Sequence, residues 1–117
     1  MNANDERCYA SANKYCACIE FRPDENLWYG FGTSQLIAYI LEPNPDAGDS
    51  KDAPPQRLSL AFSTADVVIL GWRLGRLAGC LRESSLAVVT ACANSKGTID
   101  SQNVFVAAIK ITPIEKK

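Results

Sequence analysis

The stretch Arg57–Leu86, RLSLAFSTADVVILGWRLGRLAGCLRESSL, decides how this chain folds. Leu58, Leu60 and Phe62 alternate with Ser59, Ala61 and Ser63, the period-two pattern of a strand with one buried face. Thr64-Ala65-Asp66 reads as a turn. Val67–Trp72 is apolar on both faces, which predicts a central strand covered on both sides. Leu74, Leu77, Ala78 and Leu81 then recur at i, i+3, i+4 and i+7, so residues 73–84 are expected to form an amphipathic helix. Arg73, Arg76, Arg82 and Glu83 fall off its apolar stripe, and the helix is the expected cover for one side of Val67–Trp72. Only 13 residues separate Trp72 from Leu86. That is about the minimum for a strand–helix–strand crossover, so Leu86–Ala91 is expected to lie parallel to Val67–Trp72, or one strand away, in the same sheet.

Working outward, Val104–Thr112 (VFVAAIKIT) reads as the last strand, after a polar turn around Gly97. Upstream, Pro43–Gln56 has four prolines, an acidic excess and no large apolar residue, so residues 43–56 are expected to be a long mobile loop. Leu36–Glu42 (LIAYILE) has two readings, a helix capped by Thr33 or Ser34 and a buried strand. Its shortness, its β-branched and aromatic content and the following Pro43 favour the strand. Lys14–Arg22 alternates, and Pro23-Asp24-Glu25-Asn26 supplies a turn, with Pro23 at its second position and Asn26 able to adopt positive φ. Residues 1–13 are polar and aperiodic, a mobile N-terminal arm, and residues 14–114 form one domain.

Composition limits the function. The chain has 117 residues, a length suited to one core, and 47% apolar residues. Twelve basic and 13 acidic residues leave a formal charge of −1, which gives no overall attraction for nucleic acid or anionic membrane. No secretory signal or bilayer-length apolar run is visible, and five cysteines are an odd number. A cytoplasmic location with free thiols is the simplest reading. There is no histidine, hence no general base, metal ligand or nucleophile partner of the commonest kind.

Candidate sites are correspondingly few. Cys16 and Cys18 would share one side of a strand with Cα atoms roughly 7 Å apart, too far for an unstrained disulfide. Cys80 and Cys92 do not complete a zinc pattern, so no metal site is expected. Asp46, Asp49 and Asp52 lack the closing Glu and alternate ligand spacing of a calcium loop. Arg73 and Arg76, with Arg82 and Lys96 further off, could anchor an anion near the helix N-terminus. Trp28, Tyr39 and Trp72, with Tyr29 and Phe31, could wall a ligand pocket. Gly75 and Gly79, four residues apart on the helix, weaken it unless a second backbone or subunit approaches closely. Glu20, Glu42 and Asp66 are isolated acids that nothing in the sequence brings together.

The reading is an α+β domain, a mainly antiparallel bent sheet or open barrel of six or seven strands with one helix. Its leading function is a non-catalytic interaction or assembly module that associates with itself. The alternative is a small-ligand-binding protein with an aromatic-lined pocket and an arginine anion anchor. Neither calls for a cofactor, a nucleic acid or a membrane, and an enzyme is the least favoured class.

Overall fold

The computed structural model of the chain describes residues 9–12, 14–48, 53–91 and 104–114. In chain order the elements are β1 (Tyr9–Ser11), β2 (Cys18–Asp24), β3 (Leu27–Gly32), β4 (Leu36–Pro43), β5 (Gln56–Phe62), β6 (Ala65–Trp72), α1 (Gly75–Arg82), β7 (Leu86–Thr90) and β8 (Phe105–Pro113). They build two four-stranded sheets, ordered β1-β7-β2-β3 and β4-β5-β6-β8. Every pairing is antiparallel except β2 with β7. The class is the expected one, α+β with a bent, mostly antiparallel sheet, but with eight strands. The additional strand is β1, which lies in the segment expected to be a mobile arm. Its residue Tyr9 pairs with Val89 and packs against the core, which ties it down.

The two sheets face each other, and period-two alternation decides what lies between them. Ile19 and Phe21 of β2, Leu58, Leu60 and Phe62 of β5, and Val67 and Ile69 of β6 are essentially inaccessible to water. Each such side chain contributes roughly 1.5–3 kcal/mol relative to exposure. Phe62 stacks on Phe31 at 4.7 Å and meets Phe21 edge-on at 5.9 Å, so one aromatic cluster joins both sheets.

Helix α1 forms where the 3.6-residue stripe predicts it, and Leu74, Leu77 and Leu81 are buried. The stripe, however, points into the space between the sheets, where α1 packs against β4 and β7. This corrects two expectations. The helix, expected to cover one side of Val67–Trp72, packs its stripe into the core chiefly against β4 and β7. Strands β6 and β7 also belong to different sheets, because the helix carries the chain from one layer to the other.

Other local differences have simple causes. Lys14–Ala17 is not part of β2: Cys16 donates its N–H to the Ser84 carbonyl at 2.7 Å, and Thr33 donates to Ala17 at 2.7 Å. The β2–β3 turn is tightened by an Asx bond from the Asn26 N–H to Asp24 Oδ1 at 2.7 Å. Pro23 therefore stays within β2, and Asn26 does not adopt positive φ. Leu36–Pro43 is a strand, paired along its length with β5. The turn after β5 is shorter than expected, with Ala65 and Asp66 already in β6. At the base of the following β4–β5 connection, buried Asn44 donates its N–H to the Pro55 carbonyl and its Nδ2 to the Pro54 carbonyl, both at 2.9 Å. Gly71 sits at a bulge where a Cβ would fall on the Phe105 carbonyl, so only glycine fits there.

Both ends of α1 are anchored. Gln56 Oε1 accepts the Leu74 N–H at 2.7 Å, replacing a local side-chain cap. At the C-terminus Ser85 N–H bonds to the Cys80 carbonyl at 2.9 Å and Ser84 N–H to Leu81 at 3.1 Å, with Ser84 at φ 56°. That is a Schellman motif with serine at the left-handed position that favours glycine. Ser84→Gly is expected to raise stability by about 0.5–1 kcal/mol in urea unfolding with an unchanged slope.

Candidate interaction surface

The outer face of the second sheet is assembled by register from four distant strands. Ala38, Ala61, Asp66 and Thr112 lie in one cross-strand row. Ile40, Ser59, Val68 and Lys110 form the next, and Glu42, Arg57, Leu70 and Ala108 the third. Their sequence neighbours Tyr39, Leu58, Leu60, Val67, Ile69 and Ile109 point inward, so all twelve residues point outward.

This face is open. Ala38, Asp66, Ala108, Lys110 and Thr112 are exposed, and Ile40 keeps 58% of its surface in water. Ser59, Ala61, Val68 and Leu70 are half-buried. Small residues at Ala38, Ser59 and Ala61 leave a shallow hollow of about 230 Å³ beside Ile40 and Val68. Ile37, at the irregular start of the β4–β5 pairing, is 71% exposed. Single exposed apolar residues are ordinary; several gathered around a hollow on one sheet face are the kind of patch that marks an interaction site.

The charges on the face are arranged around that centre. Glu42 and Arg57 close on each other at 2.7 Å across β4 and β5, so this corner is neutral. Asp66 and Lys110 are exposed, one strand and one row apart, and among the described residues neither forms an ion pair.

The residues singled out from sequence do not gather in one place. Trp28 is on β3, 58% exposed, with the Arg22 guanidinium 4.0 Å over its ring. Glu20 holds Arg22 from the other side at 2.6 Å. Tyr39 is half-buried on the inner side of the other sheet, and Trp72 tilts against Phe105 at 5.3 Å. Tyr29 and Phe31 stack on each other, and half-buried Phe31 packs against the core cluster. Arg73 lies before the helix at φ 57°, half-buried, and Arg76 is exposed in the first turn. Cys16, Cys18 and Cys80 are free thiols, and the Cys16 thiol donates to the Ser85 carbonyl at 3.5 Å. Asp46 donates its N–H to the Asn44 side chain at 3.1 Å. Asp49, Asp52, Lys96 and Cys92 lie outside the described residues.

Among the described residues no group of three or more Cys, Asp or Glu side chains could hold a metal ion. Among the same residues no helix is long and apolar enough to cross a membrane. A second hollow, about 410 Å³ and mostly polar, lies between Lys14, Tyr15 and the helix end at Glu83 and Ser85. The chain matches no protein-family model, no curated protein and no solved structure.

Gly75 and Gly79 have open space where a Cβ would project, so no contact among the described residues requires glycine at either position. Gly79→Ala is expected to stabilise the protein by about 1 kcal/mol, and Gly75→Ala, at the first helical residue, by less. Thermal unfolding checks both. If the same variants lost the ability to self-associate, the helix's outer side would be an interface as well.

Proposed function

We propose that this protein is a non-catalytic assembly module that associates with a second copy of itself through the outer face of the β4-β5-β6-β8 sheet. One observation carries the reading: Ile40 on the edge strand β4 and Val68 on β6 line one hollow floored by small Ala38, Ser59 and Ala61, with Leu70 beside Val68, on a face that the chain's own helix leaves uncovered. A half-polar, half-apolar surface with neutralised charge at one corner fits a protein partner better than water alone. The shallow hollow on this face is below the roughly 300–1,000 Å³ typical of ligand pockets, which favours a flat partner over a small molecule there.

The size of the face sets the strength. Four strands about 4.8 Å apart and six residues at about 3.3 Å cover on the order of 400 Å² per copy. A standard stable interface buries roughly 800 Å² per partner. The association is therefore reversible and concentration-dependent, with monomer and dimer exchanging. Sedimentation velocity from low to high micromolar concentration is expected to show a rising average mass for the native chain. Ile40→Lys, which places a charge beside the hollow at the β4 edge of the exposed face, is expected to stay monomeric without loss of thermal stability. A native chain that is strictly monomeric over the whole range contradicts the proposal.

A further inference from the structure

The open face has a self-complementary pattern, and resting on the reading above we infer that two copies meet about a two-fold axis that sets Asp66 of each against Lys110 of the other. In a two-fold interface the same patch serves both copies, so a residue that meets another is itself met by it. Asp66 and Lys110 are the exposed acid and base on this face without an ion-pair partner among the described residues. They are offset by one strand and one row, Asp66 opposite Thr112 and Lys110 opposite Val68.

That offset fixes the geometry. With strands about 4.8 Å apart and same-face neighbours about 6.7 Å apart, an in-plane axis exchanging Asp66 and Lys110 runs diagonally across the sheet. It passes between Ser59 and Val68, at the middle of the patch. The same operation lays Leu70 of one copy over Ala38 and Ala61 of the other, a branched apolar side chain onto two small ones. Ile40 falls on the methylene stem of Arg57, whose guanidinium stays with Glu42. The strands of the two copies cross at about 70°, closer to the orthogonal than to the aligned class of sheet packing. One axis thus satisfies the two open charges, sets Leu70 on small residues and brings no unpaired charge to the centre. The occupant is a second copy of this chain, because a single acid and a single base with this offset complement themselves.

Charge exchange tests it in the full chain. Asp66→Lys and Lys110→Asp, each alone, are expected to weaken dimerisation about tenfold or more in sedimentation equilibrium, by placing like charges together twice per dimer. The double variant Asp66→Lys with Lys110→Asp restores the pairing with its charges reversed, and its affinity is expected within about threefold of the native value. Glu25→Lys and Lys14→Asp, at exposed positions off this face, change net charge equally and are expected to leave dimerisation unaltered. A double variant as weak as the singles, or singles without effect, overturns the two-fold. Loss of dimerisation in Ile40→Lys alongside unaffected charge variants would leave the open-face reading standing and remove only this arrangement. Independently, carbodiimide coupling of a mixture of ¹⁴N and ¹⁵N native chains is expected to yield Asp66–Lys110 cross-links of mixed isotope. Cross-links confined to single-isotope chains would also overturn it.

Discussion

The contact between Phe62 and the pair Phe21 and Phe31 is what makes two sheets into one fold. Phe21 and Phe31 belong to the β1-β7-β2-β3 sheet and Phe62 to the other, with ring centroids 4.7–5.9 Å apart. Neither sheet could hide its apolar side from water by itself. Once the aromatic cluster fixes which sides face inward, strict alternation sends every other residue outward. The composition of the outer face is then a consequence of the inner one. A slip of one residue in β5 would bring Ser59 and Ala61 into the core and expose Leu58, Leu60 and Phe62.

The helix completes the interior and leaves the exterior alone. Its leucine stripe plugs the side between β4 and β7, and the Schellman end at Ser84 turns the chain directly into β7. With the only α-helix among the described residues spent on the core, the outer side of β6 has no cover from it. That is why Val68 and Leu70, which belong to a strand that reads as buried on both sides, remain partly in water. The partly exposed apolar residues of that half-polar face are what the proposed self-association would bury.

Much of the secondary structure was legible in the residues. The i, i+3, i+4, i+7 spacing of Leu74, Leu77, Ala78 and Leu81 located α1, and alternation in Arg57–Ser63 identified the inward face of β5. The β-branched and aromatic content of Leu36–Glu42, followed by Pro43, identified β4. What periodicity cannot carry is the identity of the cover, since an apolar face looks the same whether a helix, a second sheet or another molecule lies on it. Hence α1 is expected to cover one side of β6 and is found packed chiefly against β4 and β7. The three-residue β1 is too short to show a period, and positive φ at Arg73 and Ser84 has no glycine to announce it. The proposed interaction surface is invisible in the sequence for a different reason. Its residues run from Ala38 to Thr112 without a motif, and only the register of four strands brings them together. The aromatic set had the opposite fate: conspicuous in the sequence, it is dispersed over the core and two separate sheets.

The central claim, that the outer face of the β4-β5-β6-β8 sheet joins two copies, is tested most directly by methyl NMR across a dilution series of the native chain. Concentration-dependent shifts are expected at the Ile40, Val68 and Leu70 methyl groups, with the buried Ile19 and Val89 and the Trp28 indole unchanged. Shifts absent throughout, or confined to Trp28 or the helix, would contradict it.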